Sequence, residues 1–274
     1  MKRSYLLAFT IVCLLSSVGF AQKSKGKNKY KKKEFCSQQH GWSNGNKVSV
    51  SDLRESRMST NDVKVDSKNG RITVIGENRS DVLVKACVRA WAKSKAKAQS
   101  VVDSIRVNTS GTITADMPRK SNTSVSYEIR VPNSSDLDLS ADNGRITIKD
   151  VNGKVKFDTS NGRITLYDVS GDVDGRTDNG RVTVRFSDSN YRGSGMNVET
   201  GNGRISLYMP QNFSANVEAG TGNGKFSSDF RELSISGKKR KYGSNKVKAS
   251  LNGGGSPVRI ITGNGRVSIH RASN

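Results

Sequence analysis

The sequence predicts an all-β protein, a β-solenoid-like stack of short strands with Asn-Gly turns and one short helix. Glycines recur every nine residues from Gly144 to Gly180. The second and fourth residues after these glycines are almost all apolar, which places them on one buried face of a strand. Asn-Gly-Arg recurs every eighteen residues, at Asn143, Asn161 and Asn179. An internal period of this length is typical of stacked repeat architectures.

Asn-Gly is also a strong hairpin signal, so an antiparallel meander is the alternative architecture. We favour a coil, because a coil brings each residue beside its own copy, about 4.8 Å away. Asparagines in register can form hydrogen-bonded ladders, and glycine is expected to supply the backbone freedom for the turns. The motif recurs less regularly, as Asn-Gly-Arg or Asn-Gly-Lys, at Asn69, Asn202, Asn223 and Asn264.

Three segments are predicted along the chain. Residues 1–21 are a signal peptide, since Lys2 and Arg3 precede an apolar run and a cleavage site near Ala21; an uncleaved membrane anchor is the alternative. Residues 22–34 are a basic disordered linker with seven lysines between Gln22 and Lys33. Residues 35–274 form the β-strand-repeat domain. We therefore expect export in a bacterium, to the periplasm, the outer envelope or the extracellular space.

The predicted elements that precede the regular repeats are less uniform. Phe35 to Val50 is expected to be extended and loop-like, and Lys93–Ile105 is predicted as the helix because it lacks Gly and Pro and is rich in Ala and Lys. Two strands are predicted around Asn69, within Asp62–Ile75. Further strands are predicted at residues 82–90, 105–108, 112–115 and 125–131.

Two cysteines, Cys36 and Cys87, remain after removal of the predicted signal peptide. An exported protein with two cysteines is expected to pair them in a disulfide, and two separate buried thiols are the alternative. Neither a metal centre nor a cofactor is predicted, because the two histidines, His40 and His270, lie far apart and no metal-ligand spacing is present.

The chain is strongly basic, with 46 Lys and Arg against 24 Asp and Glu and a net charge of +22. Part of this positive charge lies on the residue that directly follows Asn-Gly in the motif. If the residue after that cation points inward, the cation itself points outward. We predict that Arg145, Arg163, Arg181, Arg204 and Arg266 form a column that binds polyanions. Equivalent positions hold Arg71 and Lys225. Asp142 and Asp178 lie near enough in sequence to offset two of these arginines.

Two further outward columns are predicted on the same face. One carries hydroxyls (Thr73, Thr147, Thr165, Thr183, Ser206, Ser227 and Ser268), and the other is basic and aromatic (Lys149, Tyr167, Arg185, Tyr208 and His270). Arginine suits carboxylate, phosphate or sulfate, and tyrosine suits stacking on sugars or bases. The expected partners are acidic polysaccharide, lipid phosphate or an envelope surface. Nucleic acid is disfavoured, since export argues against it and no reader motif is present. The alternative is an ordinary polar strand surface.

The order of these features resembles that of a known family. An irregular opening with one Asn-Gly turn is followed by a helix, a strand ending at Val131-Pro132, and strand pairs punctuated by Asn-Gly. "RISLYMP" (Arg204–Pro210) and "GNGRVSIH" (Gly263–His270) complete the pattern. Over Phe35–His270 the chain is similar to the bacterial putative-adhesin, β-strand-repeat family of domains of unknown function. The resemblance implies a β-solenoid-like, envelope-associated domain without catalytic residues. The family commonly has Asp or Ser after Asn-Gly, whereas this chain has Arg or Lys.

The sequence contains no nucleophile elbow and no strand-loop-helix that cradles phosphate. "GTGNGK" (Gly220–Lys225) is interpreted as part of the β repeat. Asp172 and Asp174 could form an acid–base pair, but they alternate with Val173 on a short strand and are interpreted as solvated. We therefore predict a non-enzymatic, exported envelope or cell-surface interaction module. The alternatives are a solenoid-type polysaccharide-active enzyme and a purely structural envelope protein.

Overall fold

The computed structural model describes residues 35–36, 47–119, 122–234 and 244–272. The predicted signal peptide (1–21), the basic linker (22–34) and His40 lie outside the described residues. Within these ranges the protein is all-β, with 13 strands and one short α-helix. The predicted all-β class and the predicted helix are therefore confirmed. None of the described helical segments reaches the length and apolarity that a membrane span requires.

The strands have the following bounds: β1 Val48–Met58, β2 Asp62–Glu77, β3 Val82–Ala92, β4 Arg106–Asn108, β5 Thr112–Asp116, β6 Asn122–Pro132, β7 Asp136–Lys149, β8 Lys154–Tyr167, β9 Asp172–Arg185, β10 Gly195–Met209, β11 Ala215–Ser228, β12 Asn245–Leu251 and β13 Pro257–Arg271. The helix α1 spans Lys95–Ser104, and the Ser94 side chain caps it by accepting the Lys97 N–H at 3.3 Å.

These strands form one mixed, open sheet in the order β1-β3-β6-β2-β7-β8-β9-β10-β13-β11-β12, and β5 joins β4 to β2. Pairing is antiparallel from β1 through β3 to β6. It is parallel from β6 through β2, β7, β8, β9, β10 and β13 to β11. The last strand of the sheet, β12, pairs antiparallel with β11. Because the repeat strands are parallel, the antiparallel meander is wrong.

The register of the parallel strands follows the eighteen-residue period of the sequence. Asn143 on β7 lies opposite Asn161 on β8, which lies opposite Asn179 on β9. Each strand runs without interruption through Asn-Gly, so the two strands predicted around Asn69 are the single strand β2. The buried side chains shift by one residue at this point, from Leu137 and its odd-numbered neighbours to even-numbered positions after Gly144.

The glycines of Asn-Gly are required by close backbone packing. A Cβ atom added to Gly162 would lie 2.0 Å from the carbonyl oxygen of Gly144, and one added to Gly180 would lie 1.8 Å from that of Gly162. Neither Gly162 nor Gly180 has a positive φ. These two glycines allow neighbouring strands to approach. A positive φ, as expected of glycines that supply turning freedom, is present at Gly70, Gly224 and Gly265 of the same motif and at Gly171 in the turn before β9.

Short turns of four residues connect the repeat strands: residues 150–153 join β7 to β8, and residues 168–171 join β8 to β9. The turns are themselves hydrogen-bonded to one another, since the Ser170 N–H donates to the Val151 carbonyl oxygen at 2.9 Å. Val151 and Val169 are buried. Turns and strands therefore repeat together along the sheet.

The apolar core follows the inward positions of every repeat. One inward position lacks a side chain, at Gly175 on β9. A Cβ atom there would lie 2.0 Å from Cζ of Phe157 on β8, whose ring is buried. The large side chain of one repeat thus occupies the space that the next repeat leaves open.

The first part of the sheet differs most from expectation. Phe35 to Val50 is predicted to be extended and loop-like; residues 37–46 of this segment lie outside the described part of the chain. The strand β1 begins at Val48 and pairs with β3 along eleven residues. This strand is polar and charged because it lies at the edge, so it lacks the apolar alternation of a buried strand. Arg54 on β1 donates a hydrogen bond to the Val102 carbonyl oxygen of α1 at 2.9 Å. This bond attaches the helix to the edge strand β1.

A disulfide bond joins Cys36 to Cys87, with the two Cα atoms 5.2 Å apart. Cys87 lies on β3, so the bond ties the segment before β1 to the second strand of the sheet. The two cysteines are separated by 51 residues. A loop of this length stabilises the fold by about 4 kcal/mol in the chain-entropy model.

Candidate functional site

The cations that follow Asn-Gly lie side by side across the sheet. Each is exposed, and each lies opposite the next in the strand register. Adjacent strands are about 4.8 Å apart. We call this set the cation column; its members, in spatial order, are Arg71, Arg145, Arg163, Arg181, Arg204, Arg266 and Lys225.

The spatial order of the cation column departs from the sequence order at one end. The strand β13 lies between β10 and β11, so Arg266 stands between Arg204 and Lys225. The repeat period places each cation on its strand, but it does not say which strands become neighbours. The spatial order of Arg204, Arg266 and Lys225 therefore becomes known only from the fold.

No member of the cation column forms an ion pair within the described residues. Asp178, which was expected to offset an arginine of the column, instead pairs with Arg176 at 2.8 Å. Like charges in adjacent strands repel each other unless an anion neutralises them. The column is thus a row of exposed positive charge without a counter-charge among those residues.

A groove lies along one end of the cation column and has a volume of about 590 Å³. Its walls are cationic side chains, and the glycine that precedes each cation also lines it. We call this feature the basic groove; its cations are Arg181, Arg204, Arg266 and Lys225, and its glycines are Gly180, Gly203, Gly265 and Gly224. These glycines pack against the backbone of the neighbouring strand, since a Cβ atom added to Gly203 would lie 1.7 Å from the Gly180 carbonyl oxygen.

The hydroxyl column lies beside the cation column in the predicted register. Its members are less accessible than an outward position implies, because Thr165 and Ser268 are buried. Ser227 and Ser268 also hydrogen-bond to each other, with their Oγ atoms 3.1 Å apart. The hydroxyl column therefore offers fewer ligand contacts than the sequence predicts.

The basic-aromatic column is a ladder of stacked side chains. Lys149 Nζ lies 5.1 Å from the ring centroid of Tyr167. The Arg185 guanidinium lies 4.7 Å from the ring of Tyr208, and the Tyr208 ring stacks on His270 with centroids 4.9 Å apart. Neighbours from both adjacent strands thus stack on Tyr208. The Tyr208 ring thus has stacking partners within the chain, which hold the face together, and its stacking on sugars or bases stays a prediction.

The asparagine ladder predicted from the sequence is present. Each Nδ2 donates to the Oδ1 of the asparagine on the preceding strand, at 3.0 to 3.3 Å. The ladder comprises Asn143, Asn161, Asn179, Asn202 and Asn264. Since each asparagine stands two residues before a cation, the ladder fixes the backbone from which the cation column projects.

The outward positions before Asn-Gly form a second surface, which we call the mixed face. Lys156 lies opposite Asp174 on the next strand, and the Arg259 guanidinium donates to Asn197 Oδ1 at 2.7 Å and also pairs with Glu199. The charges on this face therefore offset one another. It differs in this respect from the cation column.

The candidate acid–base pair lies on the mixed face. Asp174 accepts a hydrogen bond from Asn197 Nδ2 at 2.8 Å, and Asp172 accepts one from the Ser194 hydroxyl. Asp174 is thus engaged by β10, and Asp172 by the residue that precedes β10. Across the described ranges, no group of three or more His, Cys, Asp and Glu side chains is placed to hold a metal ion.

Sequence reasoning missed a column of buried threonines, each two residues before the asparagine of the motif. Its members are Thr159, Thr177, Thr200, Thr262 and Thr221. The signal was present in the sequence as Thr-x-Asn-Gly. These side chains are buried, whereas the asparagines of the ladder are exposed.

Comparison with known proteins gives structural neighbours only. No family model matches the chain, and no curated protein matches it. The fold is similar to that of a "putative cell adhesion protein" from Clostridium sporogenes, with a TM-score of 0.43 and 15% identity over 81% of this chain and 100% of that one. It is also similar to a "putative adhesin" from Bacteroides fragilis, with a TM-score of 0.30 and 9% identity over 81% and 97% of the two chains.

A third neighbour is a "putative lipid binding protein" from Parabacteroides distasonis, with a TM-score of 0.30 and 12% identity over 84% of this chain and 98% of that one. Two of these three bacterial neighbours carry adhesion names.

Proposed function

We propose that this chain is a non-enzymatic interaction module of the bacterial envelope or cell surface, and that its cation column binds acidic polymers. The observation that carries the proposal is the row of seven exposed cations, which lie in register and form no ion pairs among the described residues. The candidate ligands are acidic polysaccharide, lipid phosphate and other polyanionic envelope surfaces.

The spacing of the cations supports joint binding of one polymer. Neighbouring cations recur about every 4.8 Å, which is closer than the Debye length of about 8 Å at physiological ionic strength. The potentials of adjacent side chains therefore overlap, and a polyanion is attracted by several cations at once. The basic linker (22–34) would add a second element that attracts anions without geometric preference.

The repeat strands are, in this proposal, the rungs of a β-solenoid. A straight strand of fourteen residues such as β7 is about 43 Å long. The turn of four residues that leads from β7 to β8 reaches only about 18 Å. Since β8 begins beside the start of β7, the two ends of β7 must lie close together. The strand then bends at Asn-Gly, where the buried side chains shift by one residue.

A coil of this kind gives the cation column its direction. Each rung contributes one cation at the same corner, and the column runs along the stacking axis at right angles to the strands. Export to the envelope or the cell surface follows in this proposal from the signal peptide predicted over residues 1–21. A structural envelope protein and a polysaccharide-active enzyme are the rival functions.

The proposal is tested by binding of dextran sulfate, a linear polyanion, to a variant in which Arg145, Arg163 and Arg181 are replaced by Gln. These side chains are exposed, so the fold is expected to persist. Binding is expected to weaken roughly tenfold, since an exposed ion pair contributes up to about 1 kcal/mol. Titration calorimetry at fixed ionic strength measures the effect.

The matched control replaces three exposed cations by Gln: Lys154 and Lys156 of the mixed face, and Lys248 of β12, which lies opposite Glu218. It removes the same net charge. Binding by this variant is expected to change by less than about twofold, because isolated surface charges contribute little. An equal loss in both variants would assign binding to net charge alone and contradict the proposed role of the column.

A further inference from the structure

The basic groove narrows the class of ligand that this face can take. It is shallow and open, it has a volume of about 590 Å³, and it runs across four neighbouring strands, β9, β10, β13 and β11. A linear chain that lies along it can contact all four cations.

We infer that the basic groove binds a linear acidic polysaccharide that carries one carboxylate or sulfate on every sugar and lies along the cation column. This inference rests on the proposed function and names the ligand class for the same site. Successive sugars occupy successive strands, and each anionic group meets one cation.

The repeat distance favours a sugar chain. The cations advance by about 4.8 Å per strand, and a pyranose ring in an extended chain has a comparable length. The phosphates of one strand of a B-form duplex advance by only about 3.4 Å along the axis. They therefore fall out of register with the cations within a few strands.

The aromatic side chains of the same face argue against single-stranded nucleic acid. Proteins that bind such strands use aromatic rings as stacking platforms for the bases. Here the Tyr208 ring is stacked between the Arg185 guanidinium and the His270 ring, at 4.7 and 4.9 Å. Charge and spacing, rather than stacking, are therefore the means of recognition.

The ligand class is tested with oligomers of equal charge and different charge spacing, using the full chain and titration calorimetry. Tetragalacturonate carries a carboxylate on each of four sugars. A hyaluronan octasaccharide carries four carboxylates on alternate sugars. Tetragalacturonate is expected to bind at least about fivefold more tightly, because each misplaced charge forfeits an exposed ion pair. Equal affinities, or tighter binding of pentathymidylate or of phosphatidylglycerol vesicles, would overturn the inference.

The location of the site is tested with a matched pair of variants. Arg204→Gln removes a cation inside the basic groove, and Lys156→Gln removes an exposed cation of the mixed face, outside the cation column. Arg204→Gln is expected to weaken tetragalacturonate binding about fivefold, whereas Lys156→Gln leaves it unchanged. Equal effects would assign binding to net charge and contradict a site in the basic groove.

These outcomes separate the inference from the proposal on which it rests. If dextran sulfate binds and the short oligomers do not distinguish charge spacing, only the ligand class is wrong. If neither dextran sulfate nor any oligomer binds the folded chain, the proposed function is itself wrong.

Discussion

At the scale of the residue, the three residues of the Asn-Gly-Arg motif have separate roles. The asparagine forms a ladder with its copies, for example from Asn161 to Asn143 at 3.3 Å. The glycine permits close backbone approach, and the arginine faces solvent. The sequence predicted the ladder and the outward arginine, because both depend on the repeat period alone. It did not predict the close packing at the glycine, because the contact that requires it comes from the neighbouring strand.

One residue pair tests the packing of adjacent repeats. In Gly175→Ala the new Cβ collides with the Phe157 ring, and the free energy of unfolding is expected to fall by about 2 kcal/mol through overpacking. Phe157→Leu removes the colliding ring atoms. The double variant is therefore expected to be more stable than the sum of the single effects predicts, by at least about 1 kcal/mol. Urea unfolding of the four proteins measures the coupling, and strictly additive effects would show that the two positions do not share the space.

At the scale of the element, the repeat strands depend on backbone contact at each Asn-Gly. In Gly162→Ala the added methyl group would lie 2.0 Å from the Gly144 carbonyl oxygen, so β7 and β8 must separate. We expect a loss of about 3 kcal/mol or more in the free energy of unfolding. The half-exposed neighbouring position gives the control, and Ser160→Ala is expected to change stability by less than about 0.5 kcal/mol. Thermal and urea unfolding followed by circular dichroism measure both, and equal stabilities would contradict tight packing at this glycine.

Elements were predictable where they carried a local signal. The helix was found because Lys95–Ser104 has strong helix formers and a serine cap. The edge strand β1 was missed, because an exposed strand with charged residues has no apolar alternation. The continuous strand β2 was divided in two, because Asn-Gly normally ends a strand. Here it lies within a ladder of equivalent residues.

At the scale of the whole molecule, periodicity fixes which residues are equivalent but not which strands are adjacent. The insertion of β13 between β10 and β11 depends on long-range packing, and it completes the basic groove by bringing Arg266 beside Lys225. The candidate site was thus predictable as a set of residues. The groove at one end of the column and the lack of ion pairs among the described residues were not predictable. Both depend on which strands and side chains become neighbours in the fold.

The salt dependence of binding tests the cation column most directly. The affinity for dextran sulfate is measured over a range of salt concentrations, for the unmodified chain and for a variant with Arg181, Arg204 and Arg266 replaced by Gln. Each neutralised charge on a single-stranded polyanion contributes about 0.7 to the slope of log K against log salt. The three substitutions are therefore expected to reduce the magnitude of the slope by about 2. An unchanged slope, with the fold intact by circular dichroism, would show that the polymer is bound elsewhere and would contradict the role of the column.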